Sequence, residues 1–270
     1  MQTFFEIGSY TDLKNEETVL LWEIGSNYSL ISLWTEDVTA CHYIQGSMFD
    51  ELEMEKSIID IFAPYKEADL KYKKTVICSA FPDALLVPRK FFAQDSNLLE
   101  QVYGVQSNGQ FYDFAGQWQL VNFYSIPGSV LQFLKEQFPA ASFRHIYTPF
   151  LKAPNDVDAP EQIGVHFLNK QFRVMVKKEN NLLLMQVYTF SAPMDVVYYL
   201  LKICKEFELS QDQTYITLSG FIEADSALYK EIYQYFTNVA FAKHSGVDMP
   251  GHDYPHHYFT SLHNLAACVS

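Results

Sequence analysis

The chain has 270 residues, 49% of them hydrophobic and 16% aromatic, which is enough apolar surface for one large core or two joined ones and excludes a disordered scaffold. Its 32 acidic and 19 basic residues give a formal charge of -13, which repels a polyphosphate backbone, so nucleic acid is not an expected partner. Cys41, Cys78, Cys204 and Cys268 are scattered without a C-x-x-C pair. With no basic-then-apolar leader and no run near the roughly 18 apolar residues of a membrane span, they point to reduced thiols in a cytoplasmic protein that does not enter the membrane.

After a polar lead-in ending at Lys14-Asn15-Glu16-Glu17, residues 18–23 read as a strand, Gly25-Ser26-Asn27 as a turn, and 28–34 as an alternating strand. Glu36-Asp37 turns the chain again and 38–44 returns, completing a three-stranded meander. From Met48 to Phe62 the apolar positions Phe49, Leu52, Ile58, Ile59 and Phe62 fall at helical spacing, and Pro64 is expected to end that helix. Thr75-Val76-Ile77-Cys78 reads as a fully buried strand. Residues 81–92 read as an extended segment entering a helix at Pro88, 104–116 as loop, 117–126 as a strand, 127–138 as a helix and 142–150 as a strand. The polar, proline-flanked stretch 152–160 is the clearest boundary in the chain.

Beyond it the order of elements repeats. Residues 163–168, 171–176 and 182–190 form a second meander with turns at Asn169-Lys170 and Lys178-Glu179-Asn180-Asn181. A helix follows, opened near Pro193, with Val196, Val197, Leu200, Leu201, Cys204 and Phe207 on its apolar face. Tyr215-Ile216-Thr217-Leu218 is a buried strand leading through Ser219-Gly220 to a helix over 225–236. The expected division is therefore 1–151 for one half, 152–160 for a linker, and 161–270 for the second half with its tail and closing helix.

This doubled order resembles the duplicated ribonuclease-H-like fold of the actin, heat-shock-chaperone and sugar-kinase superfamily, the actin-like ATPases. It implies an α/β protein of two halves, each with a mixed sheet opened by a three-stranded meander and flanked by helices. In the second half, residues 174–176, the turn at Asn180, Tyr188, Asp195, Tyr199 and Leu218-Ser219-Gly220 look like an uncharacterised bacterial family placed in that superfamily.

Superfamily members that hydrolyse ATP hold it between the halves, with Asp-x-Gly in each hairpin turn. The glycine lets N–H groups approach the phosphates, and the aspartate organises Mg²⁺. Here the first turn reads Glu23-Ile24-Gly25-Ser26-Asn27, keeping the glycine and an acid one methylene longer; the second, around Asn169-Lys170, keeps neither. Where Gly-Gly usually approaches the adenosine, this chain has Ser219-Gly220. The resemblance thus implies a non-catalytic interaction or scaffold module with a degenerate nucleotide cleft, no cofactor and a protein partner. The alternative is an ATPase or kinase in which Glu23 positions Mg²⁺, Gly25, Ser26 and Asn27 contact phosphates, Lys170 substitutes as the cation, and Ser219 and Gly220 approach the adenosine. Each motif also has a plainer reading as ordinary turn chemistry.

Five of the eight histidines, His244, His252, His256, His257 and His263, cluster near the C-terminus. A zinc, copper or nickel site is the weaker alternative there. Pro255 separates His252 from His256, however, and a packed tail with a closing helix that starts at His257 fits the pattern better. Asp50, Glu51, Glu53 and Glu55 answer a helix dipole rather than supply acid–base catalysis. No G-x-S-x-G, H-E-x-x-H or P-loop is present. Asn27-Tyr28-Ser29 matches a glycosylation sequon that a cytoplasmic chain does not use.

Overall fold

A computed structural model describes residues 1–14, 16–93, 97–104, 109–154, 157–243, 248–251 and 253–269. They form two compact units. One takes Met1–Ala153 with the described residues of Gly246–His252 and Leu262–Ser270; the other takes those of Pro154–Ser245 and Asp253–Ser261.

The first unit is built on β1 (Gln2–Gly8), β2 (Glu17–Ile24), β3 (Tyr28–Trp34), β4 (Cys41–Met48), β5 (Lys71–Ser79) and β9 (Ser142–His145), in the order β1-β4-β3-β2-β5-β9. The antiparallel meander β2-β3-β4 joins parallel β5 through helix α1 (Met54–Glu67). Strands β2 and β3 are buried on both faces, which explains their near-continuous apolar sequence. Trp22 stacks on Phe62 of α1 at 5.4 Å, and Phe62 meets Phe138 edge-on at 4.8 Å, fixing the helix to the sheet. A second, three-stranded sheet comprises β6 (Ala84–Pro88), β7 (Gln110–Ala115) and β8 (Leu120–Ser125), in the order β6-β8-β7. Helices α2 (Leu98–Tyr103), α3 (Gly128–Gln137) and α4 (Tyr147–Lys152) also belong to this unit.

The second unit orders β10 (Glu161–Leu168), β11 (Gln171–Lys178), β12 (Asn181–Thr189), β13 (Tyr215–Gly220) and β14 (Val239–Phe241) as β12-β11-β10-β13-β14. Helices α5 (Pro193–Glu206) and α6 (Ala227–Tyr235) cover its apolar face. The sequence β10-β11-β12-α5-β13 repeats β2-β3-β4-α1-β5 element for element, including the parallel return of the last strand onto the first. This is the duplication expected from the repeated pattern. Helix α7 (Thr260–Ala267) follows a short turn at His256–Phe259, so the closing helix begins three residues after His257.

Several elements differ from the sequence reading. The lead-in contains β1, an edge strand whose half-exposed sequence carries Glu6. The third meander strand starts at Cys41 rather than Val38. Pro64 lies inside α1; the bond it forgoes would have ended at Asp60, an exposed residue whose carbonyl water can satisfy. The 104–116 stretch contains β7, and the 142–150 stretch is a four-residue strand followed by α4, whose Pro149 falls in the first turn, where no N–H is needed. The chain also makes α2 and β14, which short, half-exposed sequences did not announce. No described helix is long and apolar enough to cross a membrane.

Candidate functional site

The residues of the first turn are brought together at the C-terminal end of β2. Glu23 is wholly buried and its Oε1 accepts a 2.5 Å hydrogen bond from the Tyr28 hydroxyl. Gly25 donates its N–H to the Tyr28 carbonyl at 3.0 Å, closing the hairpin. A Cβ placed on Gly25 would lie 2.3 Å from Tyr28 Cε1, so the aromatic ring fills the face that the glycine leaves bare. Tyr28 is 1% exposed. Ser26 and Asn27 are half-buried, and the Asn27 carbonyl accepts from Phe49 N–H at 3.0 Å. Beside them, parallel β5 ends at Ser79, and Ala80 donates its N–H to the Ile24 carbonyl at 2.7 Å.

The corresponding end of the second unit holds Lys170, Ser219 and Gly220. Lys170 is exposed, has a φ of 50° in the β10–β11 turn, and accepts Phe190 N–H on its carbonyl at 3.0 Å. Ser219 shares a 2.9 Å hydrogen bond with His166 Nδ1 and donates to the Val165 carbonyl at 3.3 Å. Gly220 has a φ of 75°, and a Cβ there would fall 2.0 Å from the Phe167 carbonyl oxygen. Its own sheet therefore demands a glycine at this position: strand β10 leaves no room for a side chain.

The histidine tail divides between the units. His244 and His252 lie outside the described residues. His257 donates Nε2–H to the Ile222 carbonyl at 2.7 Å and stacks on Phe241 at 4.2 Å, as the packed-tail reading expects. Burial holds its pKa below the ordinary histidine value. Among the described residues, no three His, Cys, Asp or Glu side chains cluster with metal-ligand geometry. Asp50 caps the start of its helical segment by accepting Leu52 N–H at 2.9 Å. None of the four cysteines is disulfide-bonded; Cys41, Cys78 and Cys204 are buried and Cys268 is partly exposed.

Two features of the first unit escaped the sequence reading. One is a buried polar network. Asp113 Oδ2 accepts from His145 N–H at 2.8 Å and from Thr148 Oγ1 at 2.9 Å, while the His145 ring donates Nε2–H to the Phe81 carbonyl at 3.1 Å and receives Asn122 Nδ2 on Nδ1 at 3.0 Å. The carboxylate thus clasps β7 to the backbone of β9 and to Thr148 of α4. The other is an aromatic ledge on the three-stranded sheet. Phe92 meets Tyr112 at 5.0 Å and Phe114 at 5.4 Å; Phe91 is 64%, Phe114 43% and Tyr112 36% exposed. Arg89 lies over the Phe114 ring at 5.4 Å and Lys90 over Phe91 at 4.9 Å. The alternation of Phe111 to Ala115 was the available signal.

A family model described as "Protein of unknown function (DUF3822)" matches residues 13–239. No curated protein matches the chain. Among solved structures, a Bacteroides thetaiotaomicron protein with actin-like ATPase fold and unknown function superposes with a TM-score of 0.76 at 17% identity, covering 96% of this chain and 98% of that one. A chain of the PilM-PilN type IV pilus biogenesis complex superposes with a TM-score of 0.62 at 10% identity, covering 93% and 98%.

Proposed function

We propose a function for a chain that belongs to the DUF3822 family of proteins of unknown function and has the actin-like ATPase fold: a non-catalytic interaction module that binds a protein partner. The observation that carries this reading is the Tyr28 ring lying against Gly25 with its hydroxyl on Glu23. The glycine face that would admit a phosphate is filled by the chain's own side chain, and the acid that would order Mg²⁺ is buried and hydrogen-bonded. Gly220, the other surviving glycine, is accounted for by its approach to Phe167.

The partner surface we assign is the aromatic ledge of Tyr112 and Phe114 together with the exposed Phe91 of the turn that follows β6. Exposed aromatics grouped in this way are typical anchors of binding surfaces. Arg89 and Lys90 place positive charge on the ledge of a chain whose formal charge is -13, which favours a partner segment combining apolar side chains with carboxylates. Partner binding is compatible with this fold, since one of the superposable structures is itself a complex.

Thermal unfolding with and without excess Mg-ATP tests the reading. A nucleotide at a hundred times Kd stabilises by about 2.7 kcal/mol and raises Tm by several degrees. We expect no shift at millimolar nucleotide. A rise abolished by Glu23→Ala would overturn the proposal in favour of an ATPase or kinase in which Tyr28 swings aside, Glu23 orders Mg²⁺, Gly25, Ser26 and Asn27 hold phosphates, Lys170 supplies the cation, and Ser219 and Gly220 meet the adenosine. Selection of acidic, aromatic peptides from a displayed library tests the ledge: binding should disappear with Arg89→Ala or Phe91→Ser.

A further inference from the structure

We infer that the chain forms a two-fold dimer by antiparallel pairing of β12 with β12 of a second copy, extending the five-stranded sheet of the second unit into a continuous ten-stranded one. The inference does not depend on the functional reading above.

An edge strand offers a row of unpaired backbone groups, and folded proteins blunt such edges with charge, proline, irregularity or shortness. Every other edge in the described residues carries one of these devices. Strand β1 has Glu6 and a register break between Thr3 and Phe5, β9 has four residues including Arg144, and β14 has three. Strand β6 ends in Pro88, and β7 points Asp113 inward. Strand β12 is nine residues long, Asn-Leu-Leu-Leu-Met-Gln-Val-Tyr-Thr, with no charge and no proline. A bulge leaves Leu183 unpaired with β11, so the irregularity is confined to the first third and Leu184–Thr189 is regular.

The direction of the free groups follows from one hydrogen bond. Phe190 donates its N–H to Lys170, at the β11 end of the ladder. Alternation then turns Tyr188, Gln186 and Leu184 toward β11 and leaves the N–H and C=O of Met185, Val187 and Thr189 pointing outward; the Val187 carbonyl accepts Gln186 Nε2 at 3.4 Å, an exposed bond that an arriving strand displaces. These three are spaced for a self-complementary register centred on Val187, in which Met185 faces Thr189 of the second copy and Val187 faces Val187. The pairing makes about six backbone hydrogen bonds.

A second copy is the occupant that the self-complementary register fits, and charge limits where it can dock. Two chains of formal charge -13 repel over most surfaces, whereas this strand brings no charge to the junction. An apolar margin adjoins it: Tyr188 of β12 stacks on Tyr199 of α5 at 4.4 Å, and Tyr199 meets Tyr198, which is 58% exposed. A second sheet edge arriving at β12 covers this margin.

Analytical ultracentrifugation of the full chain over roughly 1–100 μM should show a concentration-dependent species of twice 31.2 kDa. Val187→Pro removes an outward N–H that β11 does not use, and should weaken dimerisation at least a hundredfold with circular dichroism unchanged. Should that variant fail to fold, Tyr198→Lys on the exposed margin should weaken it about tenfold, and Val187→Cys should cross-link under mild oxidant where the parent does not. A chain that remains monomeric at the highest concentration overturns the inference, as does a folded Val187→Pro dimer of undiminished affinity or the absence of any Val187→Cys cross-link.

Discussion

The Tyr28 hydroxyl donates to Glu23 Oε1 at 2.5 Å while the same ring stands where a Gly25 side chain would begin, 2.3 Å from the ideal Cβ. One aromatic residue thus engages both the acid and the glycine of the turn. Because Gly25 has nothing nearer to it than this ring, Gly25→Ala should force Tyr28 aside and cost about 1–3 kcal/mol. In a Tyr28→Ala background the same change loses its three nearest obstacles and should cost markedly less. Urea denaturation of the four proteins in this cycle measures the coupling; additive losses would mean that ring and glycine do not oppose one another.

Tyr28→Phe isolates the hydrogen bond from the packing. The ring stays and only the donor to a fully buried carboxylate is lost, so destabilisation of about 1–3 kcal/mol is expected at neutral pH. A neutral effect would show that the bond contributes nothing beyond ring burial.

Gly220 is under a harder constraint, since its neighbour is backbone. Alanine at a φ of 75° with its Cβ 2.0 Å from the Phe167 oxygen requires β10 and β13 to separate. Gly220→Ala should therefore destabilise by more than about 3 kcal/mol or fail to fold. A native-like melting curve would remove the packing explanation for this glycine and reopen its assignment to adenosine.

The Asp113 clasp predicts a dependence on pH. Burial is the largest influence on its carboxyl and raises its pKa, against the bonds from His145 N–H and Thr148 and the charges of Arg144 and Lys152. With the folded pKa raised, the contribution of this residue to stability is fully present below the unfolded value of about 3.9 and is lost as pH rises through the folded one. Asp113→Asn keeps an acceptor for His145 and Thr148 but has no proton to lose. Its stability relative to the parent should therefore improve as pH rises from the unfolded value of about 3.9 through the folded pKa and level off above it, measured by urea unfolding at each pH. A difference that is flat with pH would show that the carboxyl is not desolvated in the fold.

How much was legible in the sequence follows from which signals are local. Residues 18–34 and 163–189 announce their strands because burial on both faces, or on one, writes itself directly into apolar runs and alternation. Strand β7 hides between Gly104 and Gly116 because its pattern is inverted: Tyr112 and Phe114 face out while Asp113 faces in. That inversion makes sense only with His145 and Thr148, more than thirty residues along the chain, in place. The candidate turn is similar. Glu23, Gly25 and Tyr28 lie within six positions, yet the placement of the Tyr28 ring over Gly25 depends on the closure of the hairpin, which composition does not encode.

The three-stranded sheet and the turn that follows β6 separate surface from core, and this gives the ledge its sharpest prediction. Phe91 is 64% exposed and Phe123, on β8, is 3% exposed within the cluster that includes Val87, Leu99 and Val121. Phe91→Ser removes a ring that solvent already reaches, so stability should change by no more than about 0.5 kcal/mol. Phe123→Ala leaves a cavity beneath Phe92 and Tyr112 and should cost about 3–5 kcal/mol. If the ledge is a binding surface, the first variant loses partner affinity at intact stability, and the second loses both in proportion to the fraction unfolded. A large stability loss from Phe91→Ser would place that ring in the fold's own packing and withdraw it from the surface available to a partner.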